Sequence, residues 1–500
     1  MSSRTALWLC AAALVLGLVG DQLLRPGPWA AGATLWILLS IGTAFVIARV
    51  TKRPDLPTLA PLLLTAAFFA ACLAWRDADA LRVWDLFATT VALTMGLLAL
   101  QGMRLGAGGV IEYAVGVAHA ALRGASAPVA LIGSNLGNRE TTTGRGTSQR
   151  LRAVSVGLLI TVPIIVVFGA LLMSADPVFD RLARFLFDWD LERLLSHVFV
   201  IGFLSWLAAG YLRAVVVRDD EGRTPSLTLS LPGLGTIEIG VPLGALGLLF
   251  LAFVIVQARY LFGGEALIRT TVGLTYAEYA RHGFFELVTV AGLVLPVLLG
   301  AQALLRRDDP LATRAFRLLA TAILVLVGLI IASAAYRLKL YHDAYGMTQD
   351  RFYAAAVMVW IAAALAWFGV TTLRGHGRRF VFGAIMAGFV VVAVMNVLNP
   401  DAMIARTNLA RAEQGEQLDA AYLRHLSADA SGILAAAAPQ LAQADRCAIV
   451  RQLTADEEER QQGDWRSWNL GRSRAHRAFP TVRSFLPNCS AAAEDGARQS

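Results

Sequence analysis

The feature that most limits what this chain can fold into is a series of long runs without a single charge, such as Leu59–Trp75, Ile239–Gln257 and Phe380–Val397. A run of roughly 20 apolar residues can cross the hydrocarbon core of a bilayer. In lipid, every backbone polar group must find its partner within the segment, so such runs form helices. Eleven candidate spans occur: Ala6–Gly20, Ala31–Ala48, Leu59–Trp75, Val83–Leu100, Val154–Met173, Val198–Val217, Ile239–Gln257, Phe284–Leu304, Phe316–Ala335, Tyr353–Leu373 and Phe380–Val397. The expected fold class is all-α, a polytopic transmembrane bundle of about 11 spans with a small helical extramembrane C-terminal domain.

Composition narrows the function classes. Charged residues make up 16% of the chain and the mean hydropathy is +0.57, against about 25% charged in soluble domains. The net charge of +8 comes from arginines at loop ends, as the positive-inside rule expects. No basic patch is interleaved with aromatics, so no nucleic-acid partner is expected. Only Lys52 and Lys339 are lysines, and no Gly-Lys-Ser/Thr phosphate loop exists. That argues against a nucleotide-driven pump. Arg4 precedes the first apolar stretch without a small-x-small cleavage site, which reads as an uncleaved first helix.

The chain divides into N-terminal transmembrane helices (1–102), a cytoplasmic loop (103–153), a transmembrane core (154–398) and an extracytoplasmic helical tail (399–500). Counted over alternate loops, twenty Arg and Lys fall on the side of the N-terminus and twelve on the other. This places the N-terminus inside and, with an odd number of spans, the C-terminus outside. The compartment is then a bacterial inner membrane, with the lipid bilayer and an unidentified ligand or protein at the outer face as partners.

The loops carry further expectations. Val110–Leu122 is amphipathic and leads into a Gly/Ser/Thr/Asn-rich linker, Gly133–Ser148. Asp176–Ser196 reads as a helix lying on the membrane face. Arg223–Gly240 alternates around Pro232-Gly233 like a small β-hairpin. Asn399-Pro400 looks like a cap followed by Pro at the first helical position. Thr454 and Glu457 have the spacing of a capping box opening a further helix. Of the four cysteines, Cys10 and Cys72 sit in apolar runs, and no pair has metal-ligand spacing. Cys447 and Cys489 are the two beyond the last span and are expected to form a disulfide outside the membrane.

Two segments could carry chemistry. In Gly273–Glu286, a helix would put Glu278, His282 and Glu286 on one face, with Arg281, Tyr276 and Tyr279 beside them. Such a ladder could bind a ligand or relay protons. The bland alternative makes Thr275 and Glu278 a capping box and the aromatics an interfacial belt. After the ninth span, Arg337, Tyr341 and Tyr345 recur at helical spacing until Gly346 ends the helix. These nine residues form the candidate ligand or coupling site. No catalytic residue, metal or cofactor is expected. Asp85 and Arg213 lie near span ends, where they are expected to snorkel, and the span middles hold no ionisable group. That argues against an ion-coupled carrier.

Gln257–Gly264, Tyr276–Leu287, Leu340-Tyr341 with Ala344–Thr348, Asn399–Asp401 with Ile404–Leu409, and Leu418–Leu423 carry a resemblance. From about Ser174 to the tail the chain resembles a bacterial multi-pass membrane family, domain of unknown function 4173, which is related to 4153. The resemblance implies an integral membrane protein and brings no activity or cofactor. A non-enzymatic protein that binds a ligand, senses the envelope or permits permeation is favoured. The rival is a membrane-embedded enzyme at the outer face, such as a lipid-linked transferase, for which the first outer loop offers only Asp21 beside Gln22.

Overall fold

The computed structural model describes residues 3–25, 30–137, 161, 172, 191–217, 233–272, 284–306, 308–461, 463–487 and 489. Ten of its helices are long and apolar enough to cross a membrane. In chain order the first six helices are α1 (Ser3–Leu24), α2 (Ala31–Val50), α3 (Leu56–Trp75), α4 (Asp79–Leu100), α5 (Val110–Gly137) and α6 (Leu191–Val216). They are followed by α7 (Thr236–Val272), α8 (Phe284–Leu304), α9 (Pro310–Tyr345), α10 (Gln349–Thr371) and α11 (Phe380–Leu398). The remaining expected span, Val154–Met173, lies outside the described residues except for positions 161 and 172. Most of Asp176–Ser196 lies outside them too.

The bundle has two cores. Leu9, Leu59, Phe69, Leu81, Met95 and Leu212 belong to the first, built by α1–α6. Ile239, Phe250, Leu298, Ile323 and Phe368 belong to the second, built by α7–α10. Helix α11 belongs to both, giving Phe389, Val392 and Met395 to the first and Phe380 and Ala384 to the second. The opposite faces expose large apolar side chains such as Trp8, Leu64, Phe87, Leu248 and Leu318. Such continuous apolar exposure suits lipid rather than water. Helices α1 and α6 touch closely at Gly17, where a Cβ would come within 2.0 Å of Ser205 Oγ. Close backbone approach over small residues is how helices pack when lipid supplies no hydrophobic drive.

The tail is a third packing unit, formed by α12 (Pro400–Glu413), α13 (Ala420–Leu423), α14 (Ala428–Ala437), α15 (Gln443–Gln461) and α16 (Leu470–Arg483). Ile404, Leu423, Leu434, Ile449, Val450 and Val482 form its core. Asn399, at φ 56°, caps α12 by accepting from Ala402 N, with Pro400 in the first turn. Cys447 and Cys489 are disulfide-bonded, with their Cα atoms 5.2 Å apart.

Some sequence expectations fail. Thr236–Gly240, the end of the expected hairpin, is the first turn of α7, and Leu234 instead forms an isolated bridge with Leu305. The rest of the expected hairpin, residues 223–232, lies outside the described residues, and the long apolar run behind Thr236 carries that turn into a helix. Thr454 and Glu457 do not open a helix; they lie inside α15. Thr454 Oγ1 bonds back to Val450 O, and the buried Glu457 pairs with His476 and Arg460. Gly133–Gly137, the start of the expected linker, continue α5.

Candidate functional site

Four charged residues crowd the tight corner between α3 and α4 in sequence: Arg76, Asp77, Asp79 and Arg82. Three are buried, and Asp79 is exposed. A buried charge is costly unless paired; here Arg82 pairs within the corner, and the tail supplies partners for Arg76 and Asp77. Asp77 Oδ1 accepts from Arg82 and, at 2.8 Å, from Arg472 Nε of α16. Asp77 Oδ2 accepts from Ala428 N at the start of α14. The Asp77 N–H donates to Asp429 Oδ2 at 2.6 Å. Arg76 NH1 lies 3.9 Å from Asp429 Oδ1, its Nε donates to Asn396 O at 2.7 Å, and its guanidinium stacks on Trp75.

Because Asp77 N–H is taken by Asp429, the last turn of α3 is left with free carbonyls. Asn469 supplies their donors: its amide bonds Leu73 O at 3.0 Å and Arg76 O at 2.7 Å. Its own carbonyl oxygen caps α16 through Gly471 N. Burial pushes the Asp429 carboxyl up from 3.8 to about 6, against the lowering pull of the Asp77 N–H and Arg76. Burial likewise pulls the Arg472 guanidinium below its ordinary value.

Deeper in the bundle, Asp85 of α4 and Asn396 of α11 are both fully buried, and Asn396 Nδ2 donates to Asp85 Oδ1 at 2.7 Å. Asp85 therefore does not snorkel, because α11 covers it. Asp85 Oδ2 and Asn396 Oδ1 have no hydrogen-bond partner among the described residues. A proton on Asp85 would give the pair one more donor for its two open acceptors.

Two further corners of the bundle meet the tail. Gly346, at φ 76°, ends α9, and Asn408 of α12 bonds both the N–H and the carbonyl of Met347, each at 2.8 Å. Arg411 donates to the carbonyls of His342, Asp343 and Ala344. Gln349 Nε2 donates to the buried Asp401, and Gln349 N donates to Tyr422 Oη. At the α1–α2 corner, Arg466 donates to Gln22 O and Ala31 N donates to Trp468 O. Beside it, Asp21 is fully buried between Arg25 Nε at 2.6 Å and His197 Nδ1 at 2.5 Å. His197 and His476 thus have carboxylate partners that no local spacing announces.

The segment expected to carry the ligand site lies largely outside the described residues, which exclude Tyr276, Glu278, Tyr279, Arg281 and His282. Glu286 is exposed in the first turn of α8. Arg337, Tyr341 and Tyr345 occupy the last turns of α9, where the two tyrosines meet edge to face at 5.2 Å. The Arg351 guanidinium sits 3.7 Å over Tyr341. The joint residues Asp77, Arg82, Asn396, Asp429, Asn469 and Arg472 were not singled out from sequence. The one available signal was the density of charge at a corner too short to be an ordinary solvated loop. Among the described residues no group of three His, Cys, Asp or Glu side chains could hold a metal ion.

No curated protein and no solved structure matches the chain. Residues 63–437 match the family described as a domain of unknown function, DUF4153. The match begins within α3, well before the motifs near Ser174, and takes in Asp77, Asp85, Asn396, Asp401 and Asp429. With three quarters of its length inside that match, this multi-span membrane protein belongs to the DUF4153 family.

Proposed function

We propose that the protein is a non-enzymatic envelope sensor of a bacterial inner membrane, with its N-terminus inside and its tail outside. The observation that carries this reading is the joint at which the side chains of Asp77 and Asp429, with Arg76 and Arg82, are buried between bundle and tail beside the half-buried Arg472. Charges buried across a joint hold one geometry firmly while paired and become costly once separated. A ligand or protein that shifts the tail would disturb Arg76, which bonds Asn396 O, and through it the Asn396–Asp85 pair between α11 and α4. The disulfide supports an oxidising compartment for the tail. Kinship with the related family 4173, suggested by the motifs above, fits the same reading.

The test is hydrogen exchange on the full chain carrying Asp77→Asn. Exchange should speed up in α14 and α16 and also where α4 meets α11. Loosening of the tail with α4–α11 unmoved would sink the coupling. Thiol labelling of intact cells, with and without reductant, tests the placement of the tail.

A second reading, a membrane-embedded enzyme, draws on the Asp21–His197 pair, since a buried carboxylate orienting an imidazole is a common general-base arrangement. Loss of the cellular function in His197→Gln with the tail still docked would favour it.

A further inference from the structure

A cavity of about 670 Å³ opens among α2, α4, α5 and α6, away from the joint. This is within the roughly 300–1,000 Å³ of ordinary ligand sites. Trp36, Ile41, Leu93, Leu97, Phe203 and Leu207 make its walls apolar. Its polarity is concentrated toward the end of the bundle opposite the tail. There Arg123 of α5 and Arg213 of α6 both line it. Gln101 and Tyr211 line it as well, and Gln101 Oε1 and Tyr211 Oη are buried without a hydrogen-bond partner among the described residues. Gly96 faces that hydroxyl, and a Cβ there would stand 3.0 Å from it.

An apolar slot with two guanidinium groups at one end has the charge pattern of an anionic amphiphile. Guanidinium forks match phosphate oxygens. We propose that this cavity binds one anionic glycerophospholipid from the leaflet opposite the tail, acyl chain between α2, α4 and α6 and phosphate against Arg123 and Arg213. The site does not depend on the joint, and the failure of either leaves the other standing.

The test is native mass spectrometry and thermal unfolding of the purified full chain in detergent, titrated with phosphatidylglycerol or phosphatidylcholine of identical acyl chains. Wild type should retain one phosphatidylglycerol and melt higher with it, and should hold phosphatidylcholine more weakly. Arg213→Gln removes one charge-assisted contact and should weaken phosphatidylglycerol binding about tenfold, leaving phosphatidylcholine unchanged. Arg213→Lys should restore part of the preference. Leu93→Trp fills the slot and should abolish retention of both lipids. Equal retention of the two lipids by wild type, or phosphatidylglycerol retention unchanged in Arg213→Gln and Leu93→Trp, would overturn the proposal.

Discussion

Replacing Asn469 tests the joint at its most exposed assumption, that the tail is held by donors it lends to the ends of bundle helices. The side chain is fully buried and makes three bonds: to Leu73 O, to Arg76 O and from Gly471 N. Asn469→Ala strips the donors from two carbonyls that water cannot reach, at about 1–3 kcal/mol each. It also removes the cap of α16, worth about 1 kcal/mol. Against docking of α16 the total is about 3–7 kcal/mol, a factor of roughly 10² to 10⁵ in the docked population. Asn469→Asp keeps the cap but turns a carboxylate toward the two carbonyls, so it should be at least as damaging. Hydrogen exchange in detergent reads the effect locally. Protection should collapse in α16 and at the α3–α4 corner, while α8–α10 keep theirs. If Asn469→Asp exchanges like wild type, the carbonyl-capping account is wrong. If every helix loosens together, the tail is not a separable unit.

The remaining expectations concern the same region. The Asp429 carboxyl, raised from 3.8 to about 6, holds its proton more tightly in the folded joint than in an unfolded chain. Docking should therefore strengthen as pH falls from 7 through about 6, with the gain complete below 3.8. Its ceiling is about 3 kcal/mol, and Asp429→Asn should flatten this pH profile. Cys447→Ser opens a disulfide spanning 42 residues, which should lower tail stability by about 4 kcal/mol in the chain-entropy account. Calorimetry should place that loss in the tail and not in the bundle. Gly346→Ala strains a backbone at φ 76° and puts a Cβ 2.6 Å from Asn408 Oδ1. It should cost about 1–3 kcal/mol and speed exchange in α12 first.

The spans were legible because a bilayer imposes one rule on every segment, and a charge-free run answers it without reference to the rest of the chain. The end of α9 at Gly346 and the start of α12 at Asn399 were legible for the same reason, since a left-handed glycine and a capping asparagine act within one turn. The joint was not legible. Asp77 meets Asp429 and Arg472, and Asn469 meets Leu73, across more than 350 positions of sequence, and nothing in the local spacing encodes that. Asp85 shows where a local rule misleads, since a carboxylate near a span end reaches water only if no neighbouring helix covers it. Thr454 and Glu457 show another: the capping-box spacing is also the spacing of two residues on one helix face, and helix α15 had already begun at Gln443.

The three corners share a chemical logic that explains why the tail binds through arginine and asparagine as well as through apolar contacts such as those of Met347 and Phe352. Helices α1, α3, α9 and α11 all end on the side of the bundle where the tail sits, so each presents unbonded carbonyls and the negative end of its dipole there. A hydrophobic cover would bury those carbonyls without donors. The structure instead brings donors to each end: Arg466 to Gln22 O, Asn469 to Leu73 O and Arg76 O, Arg411 to three carbonyls of α9, and Arg76 to Asn396 O of α11. Arg411 reaches three acceptors on successive residues, which a planar fork with five N–H groups can do and a lysine ammonium cannot do in the same geometry. The family match ends at Ala437, so the cap on α9 lies within it, whereas Arg466, Asn469 and Arg472 lie beyond. The α1 and α3 ends are thus capped by α16 and the turn before it, which extend the docking surface past the family stretch. The disulfide from α15 to Cys489 fastens that extension to the rest of the tail. A force that lifts the tail must uncover the ends of α1, α3 and α9 at once, which makes the joint cooperative.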